Sequence, residues 1–178
     1  MTPALEVGAT SYPDGPVESW PVVEHAGEAW HVAPVYVAPI ARGDVLAVCD
    51  AWECDLPTMD LVDAIWRAAD LRLDPRRLFR SPNDRANGAS LAAYQAQRER
   101  IARLVDGQAF TLLAGTHKDF ARGPGGRIDL YGWHMLTGAV VEPGRTSHDD
   151  RHIDYSQGLR LVRRVGQPRL RPRVLAEP

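Results

Sequence analysis

Four of the six histidines and the only lysine of this chain fall between Ala114 and Arg164. The lysine, Lys118, stands against 20 arginines. A chain that writes Arg for its generic cations and keeps one Lys points to a need for the compact ammonium, whose proton can be given up as a guanidinium's cannot. An ordinary solvated side chain is the competing reading. Three polar clusters surround it: Thr116-His117-Lys118-Asp119, Trp133-His134, and His148 through Ser156. Their chemistry is acid–base and electrostatic. Lys118 can bind an anion or give a proton, Asp119, His134, His148 or Asp154 can act as a base, and Tyr155 can orient or donate. The sequence has no G-x-S-x-G elbow, no C-x-x-C pair and no glycine loop for phosphates or dinucleotides, so covalent catalysis is disfavoured and no cofactor is expected. His148 and His152 have the spacing that puts two imidazoles on one helix face, and Asp154 would complete a ligand set. The Pro143-Gly144 turn before them and the strand pattern after them argue against a helix, so no metal is expected either.

Such groups need a rigid scaffold to aim them. Between Gln108 and Val165 the hydrophobic period drops toward two, and strands are predicted at 109–114, 127–133, 138–141 and 158–165, with Gly-Pro-Gly-Gly and Pro-Gly turns between them. If these hairpins fold back, the three clusters meet at one end of an antiparallel sheet. Upstream, His31-Val-Ala-Pro-Val-Tyr-Val-Ala-Pro-Ile40 reads as a strand, in which His31, like His25 before it, is read as a packed or exposed strand histidine. Helical spacing begins near Arg42, with Val45, Leu46, Val48, Cys49 and Trp52 on one face. It restarts at Thr58, a predicted N-cap, with Leu61, Val62, Ile65, Trp66 and Ala69 as its apolar stripe. The short link predicts an antiparallel helical hairpin. A third helix is predicted from a Ser90 cap to about Val105. Before it lies a loop with Arg76, Arg77, Arg80 and Arg85, which either gathers an anion or pairs with surface acids. The expected class is α+β in one domain over 1–178: an extended arm over 1–16, a strand near the N-terminus, a helical part over 42–107, and a C-terminal antiparallel sheet over 109–165.

A net charge of −2 gives no basic field for nucleic acid. No apolar run approaches the roughly 20 residues of a membrane helix, and the N-terminus lacks the pattern of a signal peptide, so a cytoplasmic protein is expected. Cys49 and Cys54 are read as buried thiols of a reducing compartment.

Four short segments in order carry a family resemblance over roughly residues 30–165: Leu56-Pro57-Thr58 through Val62-Asp63, Ala114 through Asp119, Tyr131-Gly132-Trp133-His134, and Asp154-Tyr155-Ser156-Gln157-Gly158-Leu159-Arg160-Leu161-Val162. The chain resembles a bacterial family whose members carry LPT-x-x-x-VD, AGHKKD-like, YGWH and DYSHG-x-RLV segments. Thr116 and Gln157 stand where that family has histidines; if those imidazoles work, this chain has lost or changed the chemistry. A second likeness is to small proteins of actinobacterial antibiotic pathways linked to aziridine ring closure in azinomycin-type compounds. That likeness implies a companion subunit.

Three functions stay open from the residues. One is a non-covalent catalyst on a small anionic substrate, in which a carboxylate or His takes an ammonium proton while Lys118 and Arg groups stabilise a departing anion; hydrolysis by an activated water would use the same groups. Another is a scaffold subunit of a heteromeric biosynthetic enzyme, with Trp20, Trp30, Trp52 and Trp66 as interface candidates and core packing favoured for Trp52 and Trp66. The third is a small-molecule binding or resistance protein.

Overall fold

A computed structural model describes residues 13–75, 91–145 and 150–167. The regular elements, in chain order, are β1 (Val22–His25), β2 (Glu28–Val32), α1 (Val45–Ala51), α2 (Met59–Ala68), β3 (Leu71–Arg72), α3 (Leu91–Val105), β4 (Leu113–Ala114), β5 (Lys118–Arg122), β6 (Ile128–His134), β7 (Val140–Arg145), β8 (Gln157–Gly158) and β9 (Val162–Arg164). The class is α+β, as its change of hydrophobic period predicts. Among the described residues no helix is long and apolar enough to cross a membrane. Residues 1–12 of the expected arm, the arginines at 76, 77, 80 and 85, the cap Ser90 and His148 lie outside the described residues.

The sheet carrying the polar clusters has the order β7-β6-β5-β8. β5, β6 and β7 are antiparallel, joined between β5 and β6 by a turn in which Gly125 and Gly126 take φ of 71° and 79°. A second sheet, β1-β2-β9, is antiparallel. Its hairpin turns on Ala26 and Gly27, both at positive φ, the handedness that suits the twist of two paired strands.

Four expected strands differ from the structure, the one expected over 138–141 running instead as Val140–Arg145 through Pro143 and Gly144, where a turn is expected. The stretch 158–165 divides: β8 runs parallel to β5, and β9 leaves to pair with β2. The C-terminal region is therefore not one antiparallel sheet, and residues 157–164 tie the two sheets together. The strand expected over 31–40 stops at Val32, because Pro34 and the cis-peptide Pro39 have no N–H for a ladder. It continues as extended chain, held by Ala33 N to Leu161 O and by Val37 with Leu159. The strand expected over 109–114 shrinks to β4, since the Asp70 carboxylate takes the backbone N–H groups of Thr111 and Leu112.

Thr58 caps α2 as its position predicts, its hydroxyl accepting from Leu61 N at 3.2 Å. Leu61, Val62, Ala64 and Ile65 are buried, each large apolar side chain contributing roughly 1.5–3 kcal/mol by leaving water. Val45 and Cys49 of α1 enter a different cluster, with Val37, Leu56, Phe120, Leu159 and Leu161, from that of α2, which gathers Val23, Val32, Leu112 and Val162. The two helices thus serve separate parts of the core. Trp20 is buried 5.8 Å from Trp52, and Trp30 and Trp66 pack against the α2 cluster. All four tryptophans pack into the protein, Trp20 and Trp30 included.

Candidate functional site

Residues 113–117 deliver the first cluster into the interior. Gly115 has φ +84°, and a Cβ there would lie 2.0 Å from Leu73 O. Only glycine lets this strand press against the end of β3, so the next two side chains, Thr116 and His117, turn inward and are buried. Gly158 does the same from β8: a Cβ would meet Tyr36 Cδ1 at 2.9 Å and His117 Cβ at 3.0 Å. Tyr36 and His117 close over it, with ring centroids 5.1 Å apart.

Asp119, one residue beyond Lys118 on β5, is 3% exposed and accepts a hydrogen bond from the Tyr36 hydroxyl at 3.0 Å. Burial pushes its carboxyl up to about 7, against the Arg160 guanidinium and the Tyr36 hydrogen bond, which favour the charged form. Burial also raises the Tyr36 phenol, with Asp119 adding to the effect. His117 moves the other way: burial, then the positive charge of Arg160, lowers it to about 3, so its imidazole is neutral at neutral pH. Its Nδ1 is 2.9 Å from Thr116 Oγ1. Arg160 is 0% exposed, stacks 3.8 Å from the Tyr36 ring centroid and donates to Ala33 O and Leu113 O. It is a fixed buried positive charge beside the carboxyl.

Tyr36 and His117 form a common wall between two cavities. The larger, of about 270 Å³, lies against α3 and is lined by Val35, Ala38, Ile101 and Leu113, with Gln97 and Arg98 among its polar walls. The smaller, of about 10 Å³, is bounded by Asp119, Trp133 and His134 with Trp66 and Val62. Asp119 and His134, both singled out in the sequence, therefore meet at one small cavity.

His134 reaches there on a distorted strand. Gly132 and Trp133 have φ of 89° and 53°, and the pairing of β6 with β7 shifts register between Leu130 and Tyr131. A non-glycine residue at positive φ inside a strand is strained backbone, of order 1–3 kcal/mol, held by its surroundings. The distortion presents His134 to α2, where its Nε2 lies 2.7 Å from Asp63 Oδ1 and its ring stacks on Trp66 at 5.2 Å. Tyr131 donates to the same carboxylate at 3.0 Å.

The other expected groups have different surroundings. Lys118 sits with its ammonium 5.3 Å from the Trp133 ring centroid and lines neither cavity. Asp154 Oδ1 accepts from Ser156 N and Oγ, and its carbonyl accepts from Tyr94. Tyr155 is buried with Ala93 and Tyr94. Asp154 and Tyr155 thus anchor β8 to α3, which places Gly158 under Tyr36 and His117. Among the described residues no group of three or more His, Cys, Asp or Glu is placed to hold a metal ion. Tyr36, Asp63 and Arg160 complete the site without having been selected by chemistry in the sequence. Asp63 and Arg160 do fall within the LPT-x-x-x-VD and DYS-x-G-x-RLV segments, whereas Tyr36 sits in a stretch that reads only as strand.

Compared with family models, with curated proteins and with solved structures, the chain matches none.

Proposed function

We propose that the protein binds a small molecule in the 270 Å³ cavity and moves a proton on it through Tyr36 and Asp119. The observation that carries this reading is the common wall: two polar side chains, Tyr36 and His117, face a mostly apolar cavity, and a buried carboxyl lies hydrogen-bonded behind one of them. Apolar cavities with a few converging polar groups of shifted pKa are the usual form of a small-molecule site. Asp119, raised to about 7, sits where a general base works best at neutral pH. Tyr36 passes a proton from the ligand to Asp119, neutral His117 hydrogen-bonds the ligand, and Arg98 and Arg160 favour an anionic group nearby.

An amine displacing a vicinal sulfate fits these groups and the likeness to aziridine-forming proteins. The nitrogen attacks carbon, the C–N bond forms as the C–O bond to sulfate breaks, and the ammonium proton goes to Asp119. We place this chemistry in the cytoplasm, in keeping with the two buried free thiols, Cys49 and Cys54. A panel of small amines bearing a vicinal sulfate or phosphate ester tests the reading, by NMR of the labelled protein and by release of the anion. Shifts at Tyr36, Gln97 and His117, with release lost in Asp119→Asn, are expected. Binding that maps elsewhere, or release unchanged in Asp119→Asn, would overturn it.

A scaffold role draws on one different observation. Met135, Leu136 and Val140, at the β6–β7 turn, are 42%, 58% and 37% exposed, an apolar tip that a companion subunit would cover. Anion release by the isolated chain would argue against that role.

A further inference from the structure

The smaller cavity separates two hydrogen-bonded pairs. On one side Tyr36 donates to Asp119 at 3.0 Å; on the other, His134 Nε2 lies 2.7 Å from Asp63. Asp119 and His134 are 3% and 4% exposed, whereas the Asp63 side chain is 28% exposed. A carboxyl as deeply buried as Asp119 cannot exchange its proton directly with solvent. Asp63 can.

We infer that one water held in the smaller cavity joins Asp119 to His134, and that protons collected by Asp119 leave through His134 to Asp63 at the surface. The inference rests on the reading of Asp119 as proton acceptor. A volume of about 10 Å³ matches the single probe sphere that one water needs, provided two to four polar partners surround it. Asp119, His117 and His134 line the cavity, and so does Trp133, whose indole N–H is buried and has no acceptor among the described residues. With Nε2 committed to Asp63, Nδ1 is the imidazole nitrogen left for that water. The step balances. Asp119 gives its proton to the water, the water gives one to Nδ1, Nε2 releases its own to Asp63, and Asp63 loses it to solvent.

His117 offers no equivalent exit, because its Nδ1 meets the buried Thr116 hydroxyl. The charged or titratable groups facing Asp119 are Tyr36, His117 and Arg160, with His134 across the smaller cavity. Arg160 is fully buried, and beyond the smaller cavity Tyr36 and His117 open only onto the larger one, which the bound ligand occupies. Tyr131, which also bonds Asp63, positions that carboxylate and stands outside the relay.

A pH jump through neutrality on the full chain, with infrared detection of the Asp119 carboxyl, tests this; the band is assigned by its loss in Asp119→Asn. In Asp63→Asn and in His134→Gln the rate at which Asp119 loses its proton after an upward jump is expected to fall by roughly a hundred-fold, the lower end of what a positioned proton-transfer group contributes. Tyr131→Phe, which removes a hydrogen bond to Asp63 but neither relay group, is expected to lower the rate far less than Asp63→Asn does. Imidazole in solution restores the rate to His134→Ala. Should the His134 variants not fold, Asp63→Asn carries the same expectation at a partly exposed site. A wild-type rate in Asp63→Asn, with Asp119 still titrating, overturns the relay and leaves the acid–base reading of Asp119 standing. An Asp119 that never changes charge across the jump overturns both.

Discussion

Replacing Asp119 by Asn should change how stability depends on pH, and by an amount the structure sets. The folded carboxyl is raised from 3.8 to about 7. A group whose folded pKa is raised contributes stability that is fully present below its unfolded pKa and is lost as pH rises through the folded value. One proton is worth about 1.4 kcal/mol per pH unit. Across the roughly three units separating the two values, wild type should therefore lose about 4 kcal/mol relative to the variant. That is a large part of the 5–15 kcal/mol typical of a domain. His117 opposes it: lowered from 6.5 to about 3, its contribution is present above the unfolded pKa and is lost as pH falls toward the folded one. Between about pH 4 and 6.5 the two slopes nearly cancel in wild type. Asp119→Asn keeps an acceptor for Tyr36 and should unmask the His117 slope, so that the variant gains stability as pH rises over that window. Urea unfolding followed by tryptophan fluorescence, repeated at several pH values, reads both curves. If they run parallel within about 1 kcal/mol, less than one pKa unit is worth, Asp119 is an ordinary carboxylate and the acid–base reading fails with it.

Two further outcomes are expected. Gly115→Ala puts a methyl 2.0 Å from Leu73 O at φ +84°, and thermal or chemical unfolding should show a loss of more than about 3 kcal/mol or no folded protein at all; wild-type stability would mean that 113–117 does not pass β3 this closely. Lys118→Ala removes a cation–π contact with Trp133, so stability should fall by about 1 kcal/mol or less. Undiminished anion release by that variant would remove the lysine from the chemistry.

Some of this architecture is local physics and can be read along the chain. The Thr58 cap and the stripe from Leu61 to Ile65 specify α2 because a helix's hydrogen bonds and its buried face both recur within four residues. The alternation of 127–133 and the glycine turn before it specify β6 for the same kind of reason, whereas β5, expected only as part of a polar cluster, is set by its pairing with β6 and β8. Asp119 and His134 are legible as candidates because polar clusters beside the ends of expected strands are where a rigid sheet can aim acid–base groups. Other features depend on residues far apart in the chain. Whether 158–165 is one strand or two depends on β2 and β5 competing for its N–H groups, and no period in that stretch records their presence. Tyr36 becomes a proton donor only where β5 brings Asp119 against it, 83 residues away. Arg160 looks like one more surface arginine until Ala33 and Leu113 turn their carbonyls onto it. The pKa values of Asp119 and His117 belong wholly to the tertiary structure. Desolvation is their largest cause, and it comes from every segment that closes over the site, whereas the sequence supplies only the groups to be desolvated.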